Sequence, residues 1–122
     1  MVKVLVVDDE ELVRLTLRQM LESEGHDVLE ARNGREAVAI QNKTPADIVL
    51  TDIIMPEQEG IETIIQLRRQ APNLRIIAIS GGGRMKNLDF LRVAANVGAD
   101  ATLTKPFTTD ELVEVIRGCM VD

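Results

Sequence analysis

The chain has 122 residues, of which 45% are hydrophobic and 28% charged, a balance that fits one folded domain and excludes a disordered chain. Only 2% are aromatic, Phe90 and Phe107, which removes the stacking platforms on which single-stranded nucleic acid is held. Lys and Arg number 14 against 20 Asp and Glu, a formal charge of −6; that sign disfavours binding to a nucleic-acid backbone and leaves room for a cation or a basic partner surface.

The first apolar run, Lys3–Val7, is uninterrupted at Val4-Leu5-Val6-Val7, as a strand covered on both faces requires. Asp8 and Asp9 end it too soon for a signal-peptide core. No run approaches the roughly 18 apolar residues of a membrane span, so a cytoplasmic location without membrane contact is expected. Val13, Leu17 and Met20 then recur at helical spacing, with Arg14 and Arg18 on another face and Glu10 and Glu11 in the first turn, where the helix dipole favours negative charge. A polar loop holding His26, the one histidine, leads to a second strand, Asp27–Ala31; nothing beside His26 in sequence suits it to metal ligation or base catalysis. Asn33 followed by Glu36 predicts an N-cap and its reciprocal partner, opening a helix to about Gln41.

Asp47–Thr51 is the third predicted strand, and Ile61, Ile64 and Leu67 or Arg68 mark the next helix. Arg75–Ile79 predicts a fourth strand, Leu88, Leu91 and Ala95 a fourth helical stripe, and Ala101–Thr104 a fifth strand. Thr108 and Glu111 fit a capping box ahead of Leu112, Val115, Ile116 and Cys119. Cys119 has no disulfide partner, which fits a reducing cytosol, and its helical spacing suits a small core residue. Met20, Met55, Met85 and Met120 read as core or rim filler. Pro45, Pro56, Pro72, Gly81–Gly83, Gly98 and Pro106 supply the turns. The glycine run lacks the spacing and the Lys-Ser/Thr of a phosphate-binding loop.

Strict alternation of strand and helix implies an α/β domain over residues 1–122, with a parallel sheet and helices on both faces. Ligands of such sheets sit beyond the carboxyl ends of the strands. Asp8 and Asp9 follow the first strand, Asp52 the third, Ser80 the fourth and Lys105 the fifth. Each has an ordinary explanation alone: an aspartate capping a helix, a turn before Pro56, a strand exit at Ser80-Gly81, a solvated lysine. Together they place three carboxylates, a hydroxyl and an ammonium on one rim. Crowded carboxylates resist ionising together without a counter-charge, and a hard divalent cation, Mg²⁺ or Mn²⁺, supplies it. Asp9 and Asp52 are the best direct ligands, Asp8 suits a metal-bound water, and the backbone carbonyl of Ile54 can add an oxygen. Asp52 can also attack phosphorus to form an acyl phosphate, with Lys105, the Ser80 hydroxyl and the amides of Gly81 and Gly82 receiving the phosphoryl oxygens.

These residues resemble the receiver domain of bacterial two-component response regulators. The likeness rests on Val4-Leu5-Val6-Val7-Asp8-Asp9-Glu10, Asp52-Ile53-Ile54-Met55-Pro56 with Gly60, Ile79-Ser80-Gly81 and Leu103-Thr104-Lys105-Pro106-Phe107, in that order. It implies a flavodoxin-like (βα)5 three-layer sandwich with strand order 2-1-3-4-5, and a cis Lys105–Pro106 peptide. It implies that Asp52 accepts a phosphoryl group from a sensor histidine kinase or phosphotransfer protein, that Asp8 and Asp9 organise Mg²⁺, that Lys105 contacts the phosphoryl group and that Ser80 moves toward it. Family members often carry an aromatic residue three positions before the lysine; Thr102 stands there, so readout passes through a smaller side chain or through Gly81–Gly83. With the sequence ending at Asp122, the resemblance implies either a stand-alone receiver signalling to a downstream protein through its fourth-helix, fifth-strand and fifth-helix face, or a piece of a longer regulator with an output domain. It implies a regulator rather than an enzyme, with slow self-dephosphorylation at most. Two rivals stand beside it: a small Mg²⁺ phosphohydrolase using Asp52 as transient nucleophile, and an interaction module with a vestigial pocket.

Overall fold

A computed structural model of the chain describes residues 2–52, 59–80, 92 and 94–120. Strands β1 (Lys3–Val7), β2 (Asp27–Ala31), β3 (Ile48–Asp52), β4 (Arg75–Ser80) and β5 (Ala101–Thr104) alternate with helices α1 (Glu11–Ser23), α2 (Gly34–Lys43) and α3 (Glu59–Gln70), the helical residues 92 and 94–97 (α4), and α5 (Thr109–Met120). The strands form one sheet in the order β2-β1-β3-β4-β5, every pairing parallel. The expected architecture and strand order are therefore what the chain adopts.

Alternate side chains of the same strands fill two cores, because successive strand residues point to opposite faces. On one face Leu5, Val7, Val49, Ile76 and Ala78 pack with Ala37 of α2, Ile64 and Leu67 of α3 and Ala94 of α4. On the other, Val4, Val6, Leu50, Ile77 and Ile79 pack with Leu17 and Leu21 of α1 and Leu112 and Ile116 of α5. The central strand β3 is buried throughout, whereas the edge strands β2 and β5 are only partly covered. The uninterrupted apolar runs thus belong to the strands that water never reaches.

Strand ends differ from expectation by one residue: β3 runs from Ile48 to Asp52, and β4 extends to Ser80. The ladder accounts for both, since Asp52 sits opposite Ile79 and Ser80 opposite Thr104. Helix α2 continues to Lys43, past the expected Gln41. In the α4 segment Ala94 is buried and Ala95 exposed, so Ala95 does not belong to the core stripe; Leu88 and Leu91 lie outside the described residues.

The Thr108–Glu111 capping box forms in full: Glu111 N–H donates to Thr108 Oγ1 at 3.1 Å, and Thr108 N–H donates to Glu111 Oε1 at 2.9 Å. At α2 only half of the expected box forms. Glu36 N–H donates to Asn33 Oδ1 at 2.9 Å, but the Glu36 carboxylate takes the N–H and guanidinium of Arg32 instead of Asn33. His26 has a structural task, accepting Val2 N–H at Nδ1 over 3.2 Å. Opposite the carboxyl rim, Arg68 donates to the carbonyls of Gly98, Pro72 and Leu74 and to Asp100, tying α3 to both loops that lead into β4 and β5.

Candidate functional site

A parallel sheet delivers every strand's carboxyl end to one rim, so residues far apart in sequence meet there. Asp8 follows β1. Its N–H donates to Ala31 O at 3.1 Å, its Oδ1 accepts Glu10 N–H at 2.8 Å, and its carbonyl accepts Arg14 Nη1 at 2.7 Å. Asp52 is the last residue of β3. Both are buried, at 2% and 6% exposure. Lys105 follows β5, held by its N–H donating to Ser80 O at 2.8 Å and by the cis Lys105–Pro106 peptide. Its Nζ lies 3.2 Å from Asp52 Oδ2 and 3.6 Å from Asp8 Oδ2. Three strand ends are thereby linked through one ammonium. Ser80 ends β4, fully buried.

Burial raises the Asp8 carboxyl above the ordinary range; the Glu10 N–H works against this, and the Asp52 charge adds to it more than the Lys105 charge relieves it. For Lys105, burial favours the neutral amine, but the Asp52 and Asp8 carboxylates outweigh burial and hold the ammonium above its usual range. The rim therefore carries more negative charge than Lys105 compensates.

Asp9 and Glu10 are exposed, and one carboxylate oxygen from each of Asp8, Asp9 and Glu10 lies within 4.8 Å of the others. Such an all-carboxylate set, with one member buried and its pKa raised, suits a hard divalent cation. The sequence reading pairs Asp9 with Asp52 as ligands; among the described residues the clustered acids are Asp8, Asp9 and Glu10, and Asp52 joins them through Lys105. Its place at the first turn suits Glu10 to the helix dipole. It occupies the N-cap of α1 and makes no side-chain cap; its contiguity with Asp8-Asp9 was the signal available. The alternative that Asp8 or Asp9 caps α1 gives way to an aspartate turn, with Asp8 Oδ1 bound to Glu10 N–H.

Thr102 is exposed on the edge strand β5, opposite Ala78. Ile54 and Gly81, with Gly82 and Gly83, fall outside the described residues. Beside Lys105 an apolar groove of about 380 Å³ is lined by Leu12, Val13, Thr16, Met20, Pro106 and Phe107. Leu12 is 74% exposed and Leu15 45%. No helix among the described residues is long and apolar enough to cross a membrane.

Residues 4–117 match the family model of the response regulator receiver domain. The chain is 31% identical to sporulation initiation phosphotransferase F of Bacillus subtilis over 115 residues, covering 94% of this chain and 90% of that protein. It is 36% identical to the chemotaxis protein CheY of Thermotoga maritima over 116 residues, covering 94% of each. Among solved structures, NtrX of Brucella abortus superposes with a TM-score of 0.90 at 30% identity, over 98% of this chain but 27% of that one.

Proposed function

The chain belongs to the response regulator receiver family, whose members are phosphoacceptor signalling switches and not enzymes, and on that premise we propose that Asp52 is its phosphoacceptor. The observation that carries this reading is the buried Asp52 carboxylate held 3.2 Å from Lys105 Nζ at the end of the central strand. The whole chain, 1–122, acts as one receiver unit.

In the transfer, a carboxylate oxygen of Asp52 forms a bond to phosphorus. The bond from phosphorus to the donor's imidazole nitrogen breaks, and its electron pair stays on that nitrogen, which then takes a proton from solvent. Little covalent assistance is needed; positioning and charge neutralisation do most of the work. Asp8, Asp9 and Glu10 would hold Mg²⁺, with Asp52 and the Ile54 carbonyl completing the set. When bound, the cation supplies positive charge to the carboxylates and to the entering phosphoryl oxygens. Lys105 exchanges its ion pair with the unphosphorylated Asp52 carboxylate for one with the phosphoryl group, and the Ser80 hydroxyl and Gly81 amide take the remaining oxygen. Readout passes through Thr102 or through Gly81–Gly83.

The partner is a phosphohistidine-bearing kinase or phosphotransfer protein on the input side and a protein target or output domain on the other. The donor must bring its imidazole to Asp52, and the groove beside Lys105, flanked by exposed Leu12, offers it apolar ground at that distance. Mass spectrometry after incubation with acetyl phosphate and Mg²⁺ tests the assignment. One phosphoryl group is expected on the wild type and none on Asp52→Asn; label retained at an unchanged rate on the variant overturns it.

A further inference from the structure

The acidic turn after β1 is held from behind by a buried cation that the phosphoacceptor chemistry does not use. Arg14 of α1 is only 7% exposed. Its Nη1 donates to the Asp8 carbonyl at 2.7 Å, and its Nε donates to Glu30 Oε1 of β2 at 3.2 Å. Glu30 is fixed in turn by Arg18 Nε at 2.6 Å, and Arg18 Nη2 donates to Val28 O at 3.1 Å. The Asp8 carbonyl lies one residue past the end of β1 and its paired register with β2. Arg14 therefore supplies the donor for a carbonyl that lies beyond the ladder, and Glu30 orients that donor.

We infer that Arg14, oriented by Glu30, is a positioning residue for the divalent-cation site. It fixes the Asp8 backbone so that the Asp8, Asp9 and Glu10 carboxylates converge. The inference rests on the reading of that turn as the cation site. Its logic is that of outer-shell partners, which orient the groups that touch the metal.

The sign of the effect separates positioning from simple electrostatics. A guanidinium near a dication repels it, so deleting the charge alone tightens Mg²⁺ binding. Releasing the Asp8 backbone loosens it. Arg14→Met removes both charge and fork; Arg14→Lys keeps the charge but lacks the planar fork that spans the Asp8 carbonyl and Glu30; Glu30→Gln leaves Arg14 in place without its ionic anchor.

The test is calorimetric titration of Mg²⁺ into the wild type and these three variants, each well below its unfolding midpoint. The expected result is a Kd weakened about 10- to 100-fold in Arg14→Met, and weakened in Arg14→Lys and Glu30→Gln as well. Glu30→Gln added to Arg14→Met should cost little more, since both act through one contact. With acetyl phosphate, the half-saturating Mg²⁺ concentration should rise in step while the rate at saturating Mg²⁺ stays near that of the wild type. Folded variants with unchanged or tighter Mg²⁺ binding overturn the inference. If Arg14→Met does not fold, Arg14→Lys decides by the same criterion, because it keeps the charge and loses only the fork, whereas Glu30→Gln removes a negative charge and weakens binding on either account. A wild type that takes up no Mg²⁺ overturns the reading of the turn as a cation site, and the role of Arg14 with it.

Discussion

Asp8 is the residue at which function opposes stability. Its carboxyl is buried beside Asp52, and its pKa is raised by burial first and by the neighbouring charge second. The native state therefore holds a proton on Asp8 at a pH where the unfolded chain has lost it, so stability falls as pH rises through that window. Without a divalent cation, Asp8→Asn should stabilise the fold at neutral pH by about 1 kcal/mol. The gain should shrink as pH falls toward the ordinary carboxylate range. Thermal melts of both proteins in a chelator, run across acid to neutral pH, check this; a variant less stable than wild type at neutral pH contradicts it. The same substitution should weaken Mg²⁺ binding, which separates relief of repulsion from a general improvement in packing.

At the scale of elements, the hub at Arg68 fixes the backbone around Gly98. Gly98 has φ +133°, and a Cβ there would lie 3.1 Å from Arg68 Cγ. Gly98→Ala combines backbone strain with a clash against a side chain that four acceptors hold still, and should cost about 1–3 kcal/mol, read as a lowered denaturation midpoint. Elements were legible in the sequence where their cause is local. The Thr108–Glu111 box closes as expected because both partners lie within one turn, and no competing side chain is seen among the described residues. The Asn33–Glu36 box is only half right, because Arg32 offers Glu36 a charged fork as well as an N–H, and charge-assisted bonds are the stronger ones. The meeting of Asp8, Asp52 and Lys105 was legible because parallel topology alone sends strand ends to one rim. Glu10 was not assigned there, since its place in the cluster depends on the backbone turn that Asp8 makes, and the Arg14–Glu30 link was hidden because its contact crosses from α1 to β2.

For the whole molecule, chemistry and recognition occupy adjoining ground. The rim around the buried Asp8, Asp52 and Ser80 is polar, while the groove next to it is apolar and flanked by the exposed Leu12. Leu12→Glu should slow phosphotransfer from a donor protein at least tenfold, the equivalent of about 1.4 kcal/mol. Labelling by acetyl phosphate should be unaffected; equal loss with both donors argues against a docking role. At the far end of the sheet, Cys119 is 8% exposed, and burial, with the Asp100 charge behind it, raises its thiol pKa. Alkylation by iodoacetamide should therefore be slow in the native protein and fast in denaturant. Because it is the chain's one cysteine, the folded surface is chemically quiet toward maleimides, and a single cysteine introduced near the rim would carry a fluorophore at one address, turning the domain into an optical reporter of its own activation.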